Sequence, residues 1–169
     1  MKRDEERLFS GGLGPELDFL RQLWALDHAL QLRSTTMARR IGVTSPQRLV
    51  LRLVGRFPGV LAGSLARLLH LDPSTITGLV SRLEKEGLIG RQIDRVDRRR
   101  RRLIITAKGT ELLSAPEETI ESATTRTLGS ISAEEAACAR RVLALLESHL
   151  LKPSRRPRGR LRLPRTRPR

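Results

Sequence analysis

The sequence predicts a mainly α-helical fold with one small β-hairpin. Two observations carry that prediction. Apolar residues recur at three- and four-residue steps through most of residues 15–151. They are interrupted once, by two short β-branched runs, Leu88 to Ile93 and Arg102 to Thr106, on either side of a loop of consecutive arginines. A third observation bounds the partner. The chain of 169 residues carries a net charge of +15, and 152–169 alone supplies nine basic residues and no acid. A field of that size favours a polyanion.

The elements follow in order. Residues 1–14 read as a flexible lead-in, because Gly11, Gly12 and Gly14 oppose a helix. Pro15 suits a first helical turn. From there to about Arg40, Leu17, Leu20, Leu23, Trp24 and Leu30 form an apolar stripe that Phe19 and Leu26 widen. Such a stripe fits a neighbouring chain as well as its own. Thr44-Ser45-Pro46 starts a second helix with a hydroxyl cap and a proline. Its expected apolar face is Leu49, Val50, Leu53, Val54 and Phe57, and Pro58-Gly59 ends it. A short third helix spans Leu61 to Leu69. Asp72-Pro73 opens a fourth that Gly87 stops. After the hairpin, Thr106 caps a fifth helix expected over 107–128. Ser132-Ala133-Glu134-Glu135 has the spacing of a capping box and starts a sixth, ended by Pro153. Residues 152–169 are a Pro/Arg tail, expected to be disordered because it has little apolar surface to offset ordering entropy.

The third and fourth helices have the pattern of a helix-turn-helix. Two helices crossing steeply need a small residue at the crossing and apolar residues under the turn. Ala66 is the small residue, Leu71 plugs the turn, and Ile76, Leu79, Val80 and Leu83 anchor the second helix. The turn position often held by glycine is His70, which tolerates a left-handed backbone better than most residues. On a helical wheel, Ser74, Gly78, Ser81 and Lys85 lie opposite the anchoring residues, with Thr75, Thr77 and Arg82 at the flanks. Small hydroxyls and a glycine allow close approach to a major groove, where hydroxyls and Arg82 bond base edges or phosphates. The hairpin adds Asp97 and then five arginines, Arg98 to Arg102. Such density repels itself unless an anion neutralises it. A narrow minor groove concentrates that kind of negative potential. Asp97 can brace a neighbouring guanidinium. The whole is a winged helix-turn-helix lobe at 44–106, held by helical regions 15–43 and 107–151. Its expected partner is double-stranded DNA.

Other classes fit less well. Single-strand binders stack bases on aromatic side chains, and only Phe9, Phe19, Trp24 and Phe57 are present. An enzyme acting on DNA needs clustered carboxylates or a nucleophile–base pair. Asp94 and Asp97 are the only paired acids near the DNA face, and arginines surround them. An architectural, nucleoid-associated protein that binds DNA without regard to sequence is the alternative reading. The tail favours it through counterion release, and the polar reading face opposes it. No apolar run approaches the ~20 residues needed to span a bilayer. The polar Met1 to Glu6 does not start a signal peptide, and a single cysteine fits a reducing compartment, so a cytoplasmic protein is expected.

These residues resemble the MarR (multiple antibiotic resistance regulator) family of bacterial winged helix-turn-helix transcription factors. The matching text is Leu65 to Leu69, Leu71 to Thr77, Val80 to Ile89, the wing Asp97-Arg98-Arg99, and Ile105-Thr106-Ala107-Lys108-Gly109. The resemblance implies a homodimer whose first, fifth and sixth helices interleave. Its two fourth helices would enter successive major grooves of a pseudo-palindromic operator. It further implies a repressor, often responsive to a small aromatic effector. DNA contacts are expected at Ser74, Thr75, Thr77, Gly78, Ser81, Arg82, Asp97, Arg98, Arg99 and Arg100. The family's wing arginine falls on Arg99. Val96 stands where many members carry another arginine, and Gly78 where the recognition helix commonly has one. Trp24 and His28, one helical turn apart, are the candidate effector contacts, with ordinary core and surface roles as the alternative. Cys138 lies in an Ala-rich stretch without an evident activating cation and reads as structural. His28, His70 and His149 are too scattered for a metal site, and no cofactor is expected.

Overall fold

A computed structural model describes residues 12–114 and 118–151. Most of the lead-in and the basic tail expected at 152–169 lie outside the described residues. The element order is α1 (Gly14–Ile41), α2 (Ser45–Arg56), α3 (Ala62–Leu68), α4 (Pro73–Lys85), β1 (Ile89–Ile93), β2 (Arg101–Ile105), α5 (Ala107–Ser114), α6 (Ile120–Gly129) and α7 (Ala133–Leu151). The chain divides into two units between Thr124 and Thr125.

The first unit holds the core. Val50, Leu51 and Val54 of α2 meet Leu65 and Ala66 of α3, and Ile76, Val80 and Leu83 of α4. Leu88, Ile89 and Leu103 close the cluster from the hairpin. Each fully buried aliphatic side chain of this kind contributes about 1.5–3 kcal/mol. The hairpin is antiparallel, with Ile89 opposite Ile105 and Ile93 opposite Arg101. It is also stitched to the loop after α2. Gly59 N–H donates to the Leu103 carbonyl (2.8 Å), and Leu103 N–H donates to that of Val60 (3.0 Å). The wing is therefore fixed to the lobe by backbone, not by side chains alone.

Local sequence explains most boundaries. Thr44 and Gln47 form a reciprocal capping box at α2, with Thr44 N–H donating to Gln47 Oε1 at 2.8 Å. Ser132 and Glu135 do the same for α7. Gly87 ends α4 at a φ of 71°. Gly109 has no room for a side chain, since a Cβ there would stand 2.2 Å from the Leu88 carbonyl oxygen. This close approach seats α5 on the start of the hairpin.

Two expectations are corrected. The apolar face of α2 is rotated from the expected one. Leu51 is buried, as are Gln47 and Arg48, whereas Leu49 and Phe57 are exposed. Phe57 has left the helix at its C-cap and lies under the Arg56 guanidinium, 5.8 Å from the ring centre. The single helix expected over 107–128 is two helices, α5 and α6. Pro116 lacks an N–H and restricts the residue before it. Thr119 then restarts a helix, its Oγ1 accepting from Ser122 N–H (3.2 Å) while its own N–H donates to Ser122 Oγ (3.0 Å). The last carbonyls of α5 are satisfied by a buried cation. Arg48 Nη1 donates to Leu112 O (3.0 Å), and Nη2 donates to Leu113 O (3.1 Å).

The first two-thirds of α1 is a contrast to this core. Leu17, Phe19, Leu20, Trp24, Leu26 and Leu30 are all exposed, and Met37 near its C-terminal end is the buried residue of the helix. That end is tied to α2, with Ser45 N–H donating to Ser34 Oγ (3.0 Å). In the second unit, α7 buries none of its residues, and Val142, Leu143, Leu145 and Leu150 stand exposed. Cys138 is exposed too, with Arg141 Nη2 3.9 Å from its sulfur, so a cation does stand beside the thiol. Among the described residues no helix is long and apolar enough to cross a membrane.

Candidate nucleic-acid interface

The turn between α3 and α4 is closed by Leu71 N–H donating to the Ala66 carbonyl (3.0 Å). His70 takes the left-handed conformation there, at a φ of 52°, in the place where a glycine is common. Asp72 caps α4, its carboxylate accepting from Ser74 N–H (3.3 Å) and from Ser74 Oγ (3.1 Å). Ile76, Val80 and Leu83 point into the core. Burial of those three fixes the rotation of α4 about its axis, leaving Ser74, Thr75, Thr77, Gly78, Ser81 and Arg82 exposed.

The hydroxyls on this face are not equivalent. Ser74 Oγ is engaged with Asp72, and Thr77 Oγ1 donates to the Pro73 carbonyl (2.8 Å). The hydroxyls of Thr75 and Ser81 form no hydrogen bond among the described residues. Their donors are available to a ligand, whereas Ser74 and Thr77 offer acceptor lone pairs and methyl or methylene surface. Gly78 sits in open space, with nothing within 4 Å of a Cβ built there. It leaves a gap in the face that the fold does not require.

The wing is organised by Asp94, a residue that motif matching passed over. Its side chain is 4% exposed. Oδ1 accepts from Val96 N–H (2.7 Å) and Asp97 N–H (3.1 Å), and Oδ2 accepts from Arg102 Nε (2.5 Å). The two backbone donors, Val96 first, hold this carboxyl below its ordinary range. Burial opposes them, and Arg102 adds to the lowering. The signal was present in the sequence as an Asx-turn, an aspartate whose carboxylate takes the N–H groups two and three residues on. Asp97 repeats the device one step outward, accepting from Arg99 N–H (3.0 Å) and pairing with Arg100 Nε (3.0 Å).

These contacts sort the arginines. Arg100 is held by Asp97, Arg101 donates to the Arg98 carbonyl (2.8 Å), and Arg102 is held by Asp94. The side chains of Arg95, Arg98 and Arg99 are exposed and have no partner among the described residues. The tip thus presents three uncommitted cations on a backbone that two aspartates have shaped. Val96, 95% exposed, adds no charge at the tip. Trp24 and His28 lie elsewhere, on the exposed part of α1. Neither lines the apolar hollow of about 460 Å³ beside α2.

The family model for the MarR family matches residues 43–100, which covers the lobe from the start of α2 to the wing. The chain is 33% identical to transcriptional regulator HosA of Escherichia coli O157:H7 over 93 residues, covering 55% of this chain and 69% of that protein. In structure it is similar to the transcriptional regulator SlyA, with a TM-score of 0.65 and 25% identity over 79% of this chain and 94% of that one. It also shares the fold of Staphylococcus aureus MepR, solved as a DNA complex. The TM-score there is 0.63 at 21% identity, over 79% of this chain and 97% of that one. The chain belongs to the MarR family of winged helix-turn-helix transcription regulators.

Proposed function

We propose that the protein is a homodimeric, sequence-specific binder of double-stranded DNA that acts in the cytoplasm as an effector-responsive repressor. The observation that carries the DNA reading is the pairing of two surfaces on one lobe. The outer face of α4 is polar and small, and the wing tip holds the side chains of Arg95, Arg98 and Arg99 without partners among the described residues. Thr75, Ser81 and Arg82 supply direct readout in a major groove, and Arg98 and Arg99 supply phosphate or minor-groove contact. The exposed apolar residues of α1 and α7 support dimerisation, because a second copy offers them an equivalent surface. A dimer bound across a pseudo-palindrome represses by occupying the duplex that polymerase needs.

The effector reading rests on the hollow beside α2, lined by Leu30, Ser34, Pro46, Leu49, Leu71 and Ile120 among others. Its volume falls in the range of small-molecule sites. Leu69 and Leu71, which flank His70, both line it, so an occupant touches the turn that sets the α3–α4 angle. Binding to a panel of duplexes at one salt concentration tests the function. A preferred sequence is expected, with Arg99→Ala weakening it by roughly tenfold, as loss of a charge-assisted contact does. Equal affinity for every duplex would favour the architectural alternative.

A further inference from the structure

We infer that the hollow beside α2 takes a ligand with an apolar body and a protonated nitrogen, and that Glu121 anchors that nitrogen. The inference rests on the effector reading above and specifies its chemistry. The polar residues of the lining are Gln31, Ser34, Ser45 and Glu121, and the glutamate is the one that ionises. The remainder of the wall is aliphatic.

Glu121 is an unsettled group. Both carboxylate oxygens are buried and accept no hydrogen bond among the described residues. Oε1 lies 3.2 Å from Arg48 Nε, close enough for charge attraction, but that nitrogen makes no hydrogen bond either. The other two guanidinium nitrogens of Arg48 are spent on the carbonyls of Leu112 and Leu113. A buried carboxylate has about four acceptor sites, and leaving them empty is costly. The side chain keeps 24% exposure, which must come from its stem, since the oxygens are covered. Oε1 can stay beside Arg48 Nε, so a small rotation about that stem turns only Oε2 toward a donor in the hollow and keeps the buried pair intact.

The local field has the same sign. One guanidinium faces a full carboxylate and the negative C-terminal end of α5. Arg48 is 2% exposed and sealed from an incoming anion. A second hollow of about 580 Å³ across Leu49 shares Glu121 but adds Arg52 and Arg56 to its lining, so it lacks this cation preference.

The test uses the full chain and two probes of one shape, 2-naphthylmethylammonium and 2-naphthoate. Titration calorimetry is run at about 0.3 M salt, which screens the chain's overall positive charge. The ammonium is expected to bind at least about tenfold more tightly than the carboxylate, the size of one buried charge-assisted hydrogen bond. Glu121→Gln should erase that difference, and Gln31→Trp, which narrows the mouth, should weaken the ammonium. A preference for naphthoate, equal binding, or a preference that survives in folded Glu121→Gln overturns the charge assignment and leaves the effector hollow standing. Binding of neither probe, or binding that Gln31→Trp does not alter, overturns the hollow as well. If Glu121→Gln fails to fold, the two-probe comparison and Gln31→Trp still decide the matter.

Discussion

The lobe from α2 to β2 and the helix α7 use the same raw material to opposite ends. Both are amphipathic and leucine-rich. The lobe buries Leu51, Leu65, Leu83, Leu88 and Leu103 within its own chain, whereas α7 leaves Val142, Leu143, Leu145 and Leu150 in contact with solvent. The difference teaches where the reading geometry comes from. The rotation of α4 and the seat of the wing are fixed by a core that one chain completes. The apolar stripes of α1 and α7 stay exposed in the single chain.

The sharpest way to break that contrast is to cut one leucine from each side. Leu83→Ala should cost the lobe about 2–5 kcal/mol by opening a cavity in a closed core, visible as a large drop in melting temperature. Leu143→Glu should leave the melting of the lobe in place and convert the sedimenting species to a monomer. If Leu143→Glu melts the lobe as Leu83→Ala does, the two regions are one cooperative unit and the contrast fails.

Gly109→Ala comes next. A methyl group would meet the Leu88 backbone oxygen at 2.2 Å and Ile105 Cγ1 at 2.8 Å. Backbone cannot yield as a side chain does, so overpacking of about 1–3 kcal/mol is expected, read by chemical denaturation. An unchanged midpoint would show that α5 is not seated on the hairpin as described.

Asp94→Asn should act on the wing and spare the core. The amide keeps an acceptor for the turn but loses the charge that holds Arg102. DNA affinity should fall by roughly tenfold with little change in melting. The pH dependence has a definite sign. The folded carboxyl lies below its ordinary value of 3.8, so its stabilisation is complete above that value and is lost as pH falls through the lower folded one. Hydrogen exchange at Val96 and Asp97, corrected for intrinsic rates, should therefore show constant protection from about pH 5 to 8. A protection step within that range would contradict the assignment.

The smallest effect is expected at Gly78. Gly78→Ala meets no atom and should stabilise α4 by about 0.8–1 kcal/mol through helix propensity. Its larger consequence is for binding, because the added methyl fills a gap on the reading face. A duplex preference identical to that of the parent protein would mean that position 78 does not face the groove.

Much of this was legible in the residues. The four helices up to Lys85 and the hairpin followed from periodicity, caps and β-branched runs, and His70 took the left-handed turn its position required. The exposed face of α4 followed from its wheel. Among contacts of charged groups, the bracing of a neighbouring guanidinium by Asp97 was legible, and Asp97 pairs with Arg100; those of Arg48 and Asp94 were not. Arg48, set between Gln47 and Leu49, reads as a surface residue. It is buried because α5 stops at Ser114 and leaves carbonyls that only a long cation can reach from α2. Asp94 had a local signal but sat outside the matched wing text, so its role emerged only with the Arg102 contact eight residues away.

By itself the sequence determined the features set by short-range chemistry: helix starts, the hairpin, the turn at His70, the outer face of α4 and the charge of the wing. Tertiary structure decided which arginines are spent and which are free. It also decided the true buried face of α2 and the placing of Glu121 beside both Arg48 and an apolar hollow. The physical reason is range. Caps, turns and helical periodicity act over three or four residues and are written along the chain. The pairing of buried charge acts across space, between residues eight positions apart, as Asp94 and Arg102 are, or dozens apart, as Arg48 and Glu121 are, and depends on which faces the core has already turned inward.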